Sequence, residues 1–332
     1  MLNDWLFKSW YWPDDAWLWI GPARRKAARL LEKGQWDALI SVSLPFSAHW
    51  AAKKLKKQFP QLPWLADIGD PFALQSEHPL NNALFYRKKN ARAERSVLSF
   101  ADWMTVTNEG LRQAYLQTWP DLNTRIHVIG PLASPQVAKT GFVLEEVQKF
   151  HIAYFGSFFK NIREPEPLLE FFAMLSRKKD WVLHFYGDIF ENFYPIFEKY
   201  PSLKPYIRFH GLVSREEAAA AMRQVNMLAL LGNTTGFQLP SKWADYLMSG
   251  KPILHLLQTP SDPALPLVKG LNQVLSLPWH ESEKREEYMA SFERWEAPSG
   301  DGKPWEARFS PAAIAAAYAD LLLSQKEQKV GA

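Results

Sequence analysis

Short apolar runs alternate with segments of helical spacing along most of the chain. In the first part, strands are predicted at 36–43, 64–67, 103–107 and 126–129. Helices are predicted between and around them, at 23–33, 47–58, 81–100 and 109–119, with Ser47 as the N-cap of the second. Strands that alternate with helices need crossover connections, so the pattern indicates a parallel sheet.

The alternation is interrupted near 131–150, where Pro131, Pro135 and Gly141 punctuate a stretch without a clear period. It then resumes with strands predicted at 151–156, 181–187, 206–211, 227–231, 252–256 and 273–277. Helices are predicted at 165–176, 191–200, 214–225, 241–249 and 262–270. Two terminal helices, 280–294 and 311–324, flank a loop at 298–304. The pattern predicts an α/β protein with two doubly wound parallel-sheet units.

Composition restricts the class of protein. The hydrophobic fraction of 47% in 332 residues is that of a globular chain, and the absence of cysteine excludes disulfides and thiolate metal sites. No apolar run approaches the roughly 18 residues that cross a bilayer. Lys8, Asp14 and Asp15 interrupt the aromatic N-terminus, which is unlike a cleavable signal. We therefore expect a soluble, cytoplasmic protein.

Positive charge is concentrated in the first part of the chain. Residues 1–140 carry 18 Lys and Arg against 12 Asp and Glu, whereas the remainder carries 21 against 23. The basic clusters lie at 24–26, 53–57 and 87–95, and tryptophans crowd residues 5–19. Such clusters are solvated helix faces in most proteins, but they also suit anionic head groups or nucleic acid. Without a recognition motif, nucleic acid is not an expected partner. Aromatic residues beside basic clusters fit the inner face of an anionic membrane, or a buried core.

The segment 232–254 is the strongest candidate for a binding site. A buried strand leads into a loop with Gly232 and Gly236, and a helix then begins near Ser241. A turn and a helix N-terminus after a parallel strand form a seat for an anion. Lys242 and Asp245 share one face of that helix, where the lysine can reach a phosphate and the acid can accept bonds from sugar hydroxyls. Ordinary helix capping explains the same residues equally well.

Motifs in the second half resemble the nucleotide-sugar-binding domain of GT-B glycosyltransferases, particularly the retaining family-four enzymes. The motif residues are Tyr154 to Ser157, Arg163 with Pro165, His210 to Val213, and Leu239 to Leu254 with Lys242 and Asp245. The resemblance implies a metal-independent site without cofactor, in which a nucleoside-diphosphate sugar is the donor. It implies donor-binding roles for Gly156, Ser157, Arg163, Gly187, Thr235, Gly236, Lys242 and Asp245.

The first half resembles the acceptor domain of the same family, through residues 41–49, 63–71 and 101–107. His49, Asp67 and Asp70 lie at predicted strand ends, where each can act as a base or orient a hydroxyl. A structural role fits each of them as well. The family's opening strand and glycine-rich loop have no counterpart before Trp36, so we expect a reduced N-terminal domain.

Two further departures separate the sequence from the family pattern. Asp245 replaces the second of two glutamates, and Phe237 stands near the position of the first. Direct carboxylate contact with the transferred sugar is therefore not expected. The resemblance implies a reduced Rossmann-like acceptor domain at 1–137, a donor-binding domain at 138–306, and a helix at 307–325 that crosses back to the first domain.

The expected function is transfer of a sugar to a glycan or lipid-linked acceptor of the cell envelope or of a polysaccharide. The expected enzyme is a retaining, hexosyltransferase-type glycosyltransferase, located peripherally at the inner face of the membrane. A catalytically silent scaffold that binds a nucleotide or a partner enzyme is the alternative. The missing opening strand favours the scaffold, whereas Gly156, Arg163 and Lys242 favour the enzyme.

Overall fold

The computed structural model describes residues 7–75, 79–134, 144–146, 148–175 and 180–330. They form two compact units. The first comprises residues 1–130 and 316–332, and the second comprises residues 131–315.

The first unit is built on a four-stranded parallel sheet. Its strands are β1 (Leu39–Ser43), β2 (Trp64–Ile68), β3 (Trp103–Val106) and β4 (Ile126–Val128). They lie side by side in chain order. Its helices are α1 (Ile20–Lys33), α2 (Ser47–Gln58), α3 (Ala83–Leu98) and α4 (Glu109–Thr118). Each crossover is right-handed and leads to the next strand in the same direction across the sheet. The connecting helices therefore lie on one face, and the opposite face is available to other elements.

The two faces of β1 differ as that order implies. Ser41 and Ser43 are buried, whereas Ile40 and Val42 are 45% and 52% exposed. Successive side chains of a strand point to opposite faces, so the serines face α2 and the aliphatic side chains face away from it. The Ser41 hydroxyl contacts the His49 ring of α2, which confirms the direction.

The start of α2 differs from the sequence-based prediction. Ser47 is the first helical residue rather than the N-cap, and Phe46 occupies the cap position without a side-chain bond. The carboxylate of Asp14, 33 residues earlier, accepts hydrogen bonds from the Ser47 amide at 2.8 Å and its hydroxyl at 2.5 Å. A distant acid thus supplies the oxygen that an N-cap side chain ordinarily provides.

The second unit contains a six-stranded parallel sheet in the order β10-β9-β8-β5-β6-β7. The strands are β5 (Phe150–Phe155), β6 (Trp181–Tyr186), β7 (Ile207–Gly211), β8 (Met227–Leu231), β9 (Ile253–Leu256) and β10 (Val274–Leu277). The chain adds β6 and β7 on one side of β5 and then continues with β8 on the other side. The order therefore reverses between β5 and β8, which is the topological switch point.

Helices cover both faces of this second sheet. They are α5 (Glu166–Leu175), α6 (Tyr194–Glu198), α7 (Arg215–Gln224), α8 (Lys242–Ser249), α9 (Leu265–Val268), α10 (Arg285–Arg294) and α11 (Lys303–Phe309). The prediction for 298–310 was incomplete, because α11 follows the loop directly. Pro304 lies in its first turn, where the missing N–H is harmless and the fixed φ favours a helix.

The last helix, α12 (Pro311–Val330), begins in the second unit and belongs to the first from Ala316 onward. The phenol of Tyr318 forms hydrogen bonds with Asp67 and Thr105, and burial raises its pKa. Asp67 and Thr105 occupy the sheet face opposite α2, so α12 covers part of that face. Within the described residues, no helix is long and apolar enough to cross a lipid bilayer.

Candidate functional site

A tyrosine hydroxyl fills the gap at the switch point of the second sheet. β5 and β8 pair over only two residue pairs, Ile152 with Met227 and Ala153 with Leu228, and beyond them no pairing continues. The Tyr246 hydroxyl of α8 accepts a hydrogen bond from the Phe155 amide at 2.9 Å and donates one to the Ala229 carbonyl at 3.2 Å. The side chain bridges two strands that have separated, and it thereby fixes α8 at the crevice.

Removal of this bridge tests its structural role. We expect Tyr246→Phe to lower the free energy of unfolding by about 1 to 2 kcal/mol, because the Phe155 amide and Ala229 carbonyl lose their partner while ring packing is kept. Urea unfolding measures the change. Tyr194→Phe, which removes a hydroxyl from a 48% exposed side chain, is the matched control. Equal stability of both variants would show that the bridge contributes nothing.

Three neighbouring strands end in glycines with positive φ. Gly156 and Gly187 both have φ of 140° and Gly211 has φ of 66°. A Cβ on Gly187 would lie 2.4 Å from the Gly156 carbonyl oxygen, so the backbones approach too closely for any side chain. These glycines leave bare backbone at the carboxyl edge of the sheet, which lets a ligand approach the main chain.

A cavity of about 210 Å³ lies beside these strand ends within the second unit. It brings together five of the eight predicted donor-binding residues, namely Gly156, Ser157, Gly187, Lys242 and Asp245. Arg163, Thr235 and Gly236 are not among its lining residues. Gly156 and Lys242 line the same cavity, and their predicted role in donor binding stays a prediction.

Lys242 and Asp245 form an ion pair at the start of α8. The distance between Lys242 Nζ and Asp245 Oδ2 is 3.1 Å, and Asp245 Oδ1 accepts a hydrogen bond from the Ser134 amide at 2.7 Å. The Asp245 side chain is 7% exposed, whereas that of Lys242 is 35% exposed. Trp243 and Leu247, on the same helix, are buried. The lysine is therefore the accessible member of the pair.

Arg163 lies one layer behind the cavity wall. Its guanidinium donates to the Ser157 carbonyl at 3.2 Å and to the Asn233 side chain at 3.3 Å. Ser157 follows the end of β5 and Asn233 follows the end of β8, so the arginine joins the two loops that flank the switch point. It also adds positive charge directly beneath these loops.

The loop 232–239 is held tightly against its neighbours. The Thr234 amide and hydroxyl donate to the carbonyls of Ile162 and Asn161. A Cβ on Gly232 would lie 2.2 Å from Asp262 Oδ2, and one on Gly236 would lie 2.6 Å from the Ser261 hydroxyl. The glycines are therefore required for packing.

The remaining predicted residue, Thr235, bonds within its own loop. Its hydroxyl donates to Gln238 Oε1 at 3.0 Å. Thr235 and Gly236 shape the loop, and their predicted contact with a donor stays a prediction.

No donor-binding role was predicted from the sequence for the opposite wall of the cavity, although Leu212 and Val213 belong to the motif from His210 to Val213. This wall consists of the start of α7 and the loop before it, with Leu212, Val213, Ser214 and Arg215. Ser214 and Glu217 form a capping box, in which each side chain bonds to the other's backbone amide. The spacing of a serine three residues before a glutamate was visible in the sequence and marks this helix start.

Tyr186 supplies an aromatic floor to the cavity. Its ring stacks between Phe155, at 4.6 Å, and His210, at 4.2 Å. Its hydroxyl is buried and makes no hydrogen bond to the described residues, and burial raises its pKa to about 12. The phenol is thus neutral near pH 7, and its O–H can donate a hydrogen bond to a polar group in the cavity.

The three catalytic candidates lie in the first unit and differ in burial. His49 is 1% exposed, and its Nδ1 lies 2.7 Å from the Ser41 hydroxyl, which also accepts a bond from Trp64 Nε1. Burial lowers the pKa of His49 to about 3. An imidazole enclosed in this way does not reach a substrate, so its surroundings argue against a role as the base.

Asp67 and Asp70 lie at the carboxyl end of β2, and both are half-buried. Asp67 Oδ1 accepts a hydrogen bond from Thr105 at 2.7 Å. The turn after Asp70 is anchored by Glu94, whose carboxylate accepts bonds from the amides of Phe72 and Ala73. Glu94 is 2% exposed, and its two hydrogen bonds fix the turn that follows Asp70. Both aspartates stay candidates.

No protein-family model matches the sequence, and no curated protein matches it. The chain is similar to the solved structure of sucrose-phosphate synthase from Thermosynechococcus elongatus, with 13% identity and a TM-score of 0.69 over 95% of this chain and 80% of that one. It is similar to Anabaena HepE in complex with UDP and glucose, with 15% identity and a TM-score of 0.68 over 91% and 82%.

A third solved structure is the lipopolysaccharide outer core galactosyltransferase WaaB in its apo form. Its identity to this chain is 13% and its TM-score is 0.59, over 94% of this chain and 82% of that one. Identities this low establish architecture and no more. Together with the two parallel-sheet units, the comparisons show that the chain has the GT-B fold.

Proposed function

We propose that the protein is a glycosyltransferase that uses a nucleoside-diphosphate sugar as donor. The observation that carries this proposal is the cavity at the carboxyl edge of the second sheet, where Gly156, Gly187 and Lys242 meet. Bare backbone and an accessible cation at a sheet edge suit a diphosphate. The solved structure of HepE with UDP and glucose, which has the same fold, supports this assignment.

The side chains divide the chemistry of the donor between them. Lys242 neutralises the charge of a phosphate oxygen. Arg163 stabilises the two loops that flank the switch point. In the transfer, the bond between the sugar's anomeric carbon and the diphosphate oxygen breaks. A bond from that carbon to an acceptor hydroxyl forms, and the hydroxyl proton passes to a base. Positive charge fixed at the leaving diphosphate lowers the barrier, because negative charge develops there.

The finer features belong to the same proposal. Transfer proceeds with retention of configuration and without a metal ion, Asp245 binds the nucleoside ribose, and Asp70 or Asp67 serves as the base. The acceptor is a glycan or a lipid-linked sugar at the inner, cytoplasmic face of an anionic membrane. Each carboxylate oxygen of Asp245 accepts one hydrogen bond and has a second lone pair, so a ribose hydroxyl can bind beside Ser134 and Lys242.

The proposal is tested by thermal unfolding with UDP-, GDP- and dTDP-sugars. We expect one nucleotide class to raise the melting temperature, because a ligand bound only to the folded state stabilises it by mass action. The free diphosphate of the same base is expected to act similarly. The same assay with EDTA examines metal independence, and the stabilisation should persist. If none of these compounds changes the melting temperature, the donor site is not present.

Turnover separates the enzyme from a silent scaffold. With a stabilising donor, release of the nucleoside diphosphate should depend on an added acceptor. Binding without release for every acceptor would favour the scaffold.

A further inference from the structure

Large apolar side chains are exposed where residues 7–10 meet the start of α3. Phe7 is 72% exposed, Trp10 83%, Leu84 84% and Phe85 64%. Single exposed apolar residues are ordinary on protein surfaces, but a contiguous group marks a contact surface. The exposed fractions of these four side chains make this region a candidate contact surface.

Hydrogen bonds hold the two segments together, so the two stretches of backbone that carry the four side chains lie side by side. The Asn82 amide donates to the Lys8 carbonyl at 2.9 Å, and the Asn82 side chain donates to the Ser9 hydroxyl at 2.7 Å. The Tyr86 hydroxyl donates to the Ser9 carbonyl at 2.9 Å. Asn82 also caps α3, so one residue fixes both the helix start and the residues beside it.

The same N-terminal segment, residues 7–19, carries further exposed apolar side chains. Trp17, Leu18 and Trp19 are 42%, 69% and 53% exposed immediately before α1. Between the two apolar groups, the segment contacts the start of α2 through the bonds from Ser47 to Asp14. It thus passes the N-terminal ends of the first three helices.

Basic side chains follow both apolar groups. On α3, Lys88 and Arg92 succeed Leu84 at one and two helical turns, and all are exposed. The one acid within α3, Glu94, is 2% exposed. On α1, the exposed basic residues after Trp19 are Arg24, Arg25, Lys26, Arg29 and Lys33. Among the described residues, neither Lys88 nor Arg92 lies within ion-pair distance of a carboxylate.

We propose that the N-terminal segment and the exposed faces of α1 and α3 form a docking surface for an anionic lipid bilayer. The apolar side chains insert at the level of the head groups, and the basic side chains contact lipid phosphates. Charge complementarity favours a bilayer over a second copy of the chain, because two copies would oppose like charges. Asp15 and Glu32 are exposed carboxylates within the surface, and they reduce the attraction only in part because the basic side chains outnumber them.

The position of the docking surface bears on the proposed function. The biological role of this surface rests on that function. Helices of a parallel sheet run opposite to its strands, so their N-terminal ends lie at the carboxyl edge. Asp67 and Asp70 lie at that edge of the first sheet. Docking would therefore bring the edge that carries the candidate bases to the membrane surface.

Vesicle co-sedimentation tests the surface. The protein should bind vesicles of phosphatidylcholine mixed with phosphatidylglycerol, bind pure phosphatidylcholine less, and be released by added salt. Leu84→Ser combined with Phe85→Ser should weaken binding about tenfold or more, since two apolar side chains are lost. Lys88→Glu combined with Arg92→Glu should have an effect of similar size.

Matched variants elsewhere serve as controls. Leu323→Ser changes a 55% exposed leucine of the first unit, and Lys269→Glu reverses an exposed charge of the second. Both should bind vesicles as the unchanged protein does. Circular dichroism confirms folding of each variant.

Three results would overturn the proposal. These are equal binding to neutral and anionic vesicles, unchanged binding by both surface variants, and self-association in solution that the Leu84 and Phe85 changes abolish. Nucleotide stabilisation of the same variants keeps the two proposals distinguishable. It should persist when vesicle binding is lost, and its absence in the unchanged protein would count against the donor site alone.

Discussion

Acidification from pH 6.5 to 5 should destabilise the protein by about 2 kcal/mol through His49 alone. Burial lowers the pKa of His49 to about 3, and the pKa in the unfolded chain is about 6.5. Between these values the unfolded chain binds the proton and the folded protein does not. The stabilisation is therefore complete above pH 6.5 and is lost as pH falls, by about 1.4 kcal/mol per pH unit for one histidine.

A second buried histidine adds to this slope. His184 lies between His151 and His210 across the second sheet, with nitrogen–nitrogen distances of 2.9 Å on both sides. Burial, followed by repulsion from His210, lowers the pKa of His184 to about 3. The expected contribution of His184 to the slope is smaller than that of one full proton. The neighbouring His210 ring is exposed to solvent, which weakens its repulsion of a charged His184.

Glu94 acts in the opposite direction. Burial raises its pKa above the usual value, so the folded protein holds this proton more firmly, and acid favours the folded state at this residue. Its contribution falls between the raised pKa of the folded protein and the ordinary pKa of a carboxyl group, so it offsets part of the histidine slope on acidification.

Chemical unfolding at a series of pH values measures the slope. His49→Gln should reduce it by about 1.4 kcal/mol per pH unit, because the amide cannot take up the proton and can still bond Ser41. Circular dichroism at pH 7 verifies that the variant folds. A free energy of unfolding that stays constant from pH 7 to 5 would contradict the prediction.

Lys242→Ala should weaken binding of a nucleoside diphosphate roughly tenfold to a hundredfold. A hydrogen bond to a charged group contributes about 1.5–3 kcal/mol, which corresponds to that range of affinity. Lys242 lines the cavity and has the more exposed side chain of its ion pair, so removal of its amine should disturb the fold little. Isothermal titration measures the affinity, with Lys269→Ala as the matched control.

Asp245→Asn should have a different signature. Asparagine retains an oxygen for the Ser134 amide but loses the charge that attracts Lys242. Inhibition by free pyrophosphate should fall in the lysine variant and persist in the aspartate variant, since only the lysine is proposed to contact phosphate. If both variants bind nucleotides normally, the segment 232–254 is a capped helix without a ligand role.

Much of the architecture could be predicted from local pattern. The strand 227–231 has the predicted bounds, and α8 ends immediately before Gly250, whose φ of 67° favours glycine. These features depend on residues close in sequence, namely an apolar run and a helix stop. The choice of Lys242 followed from the rule that ligands bind at the carboxyl edge of a parallel sheet, whereas Gly156 was chosen from the family resemblance.

Contacts between distant residues could not be predicted in this way. The cap of α2 comes from Asp14, the bridge at the switch point comes from Tyr246, and both oxygens of Asp245 are taken by partners. None of these side chains differs in type from an ordinary surface or core residue. Their roles depend on which backbone groups the fold leaves without partners.

Burial was likewise decided by the tertiary structure. The sequence makes Ile40 and Val42 typical of a buried strand and makes His49 a candidate base, but β1 is exposed on one face and the histidine is enclosed. Hydrophobicity determines which residues gain by burial and thus which elements form. The order of the strands determines which faces are covered, because each crossover places its helix on a face that depends on the position of the next strand.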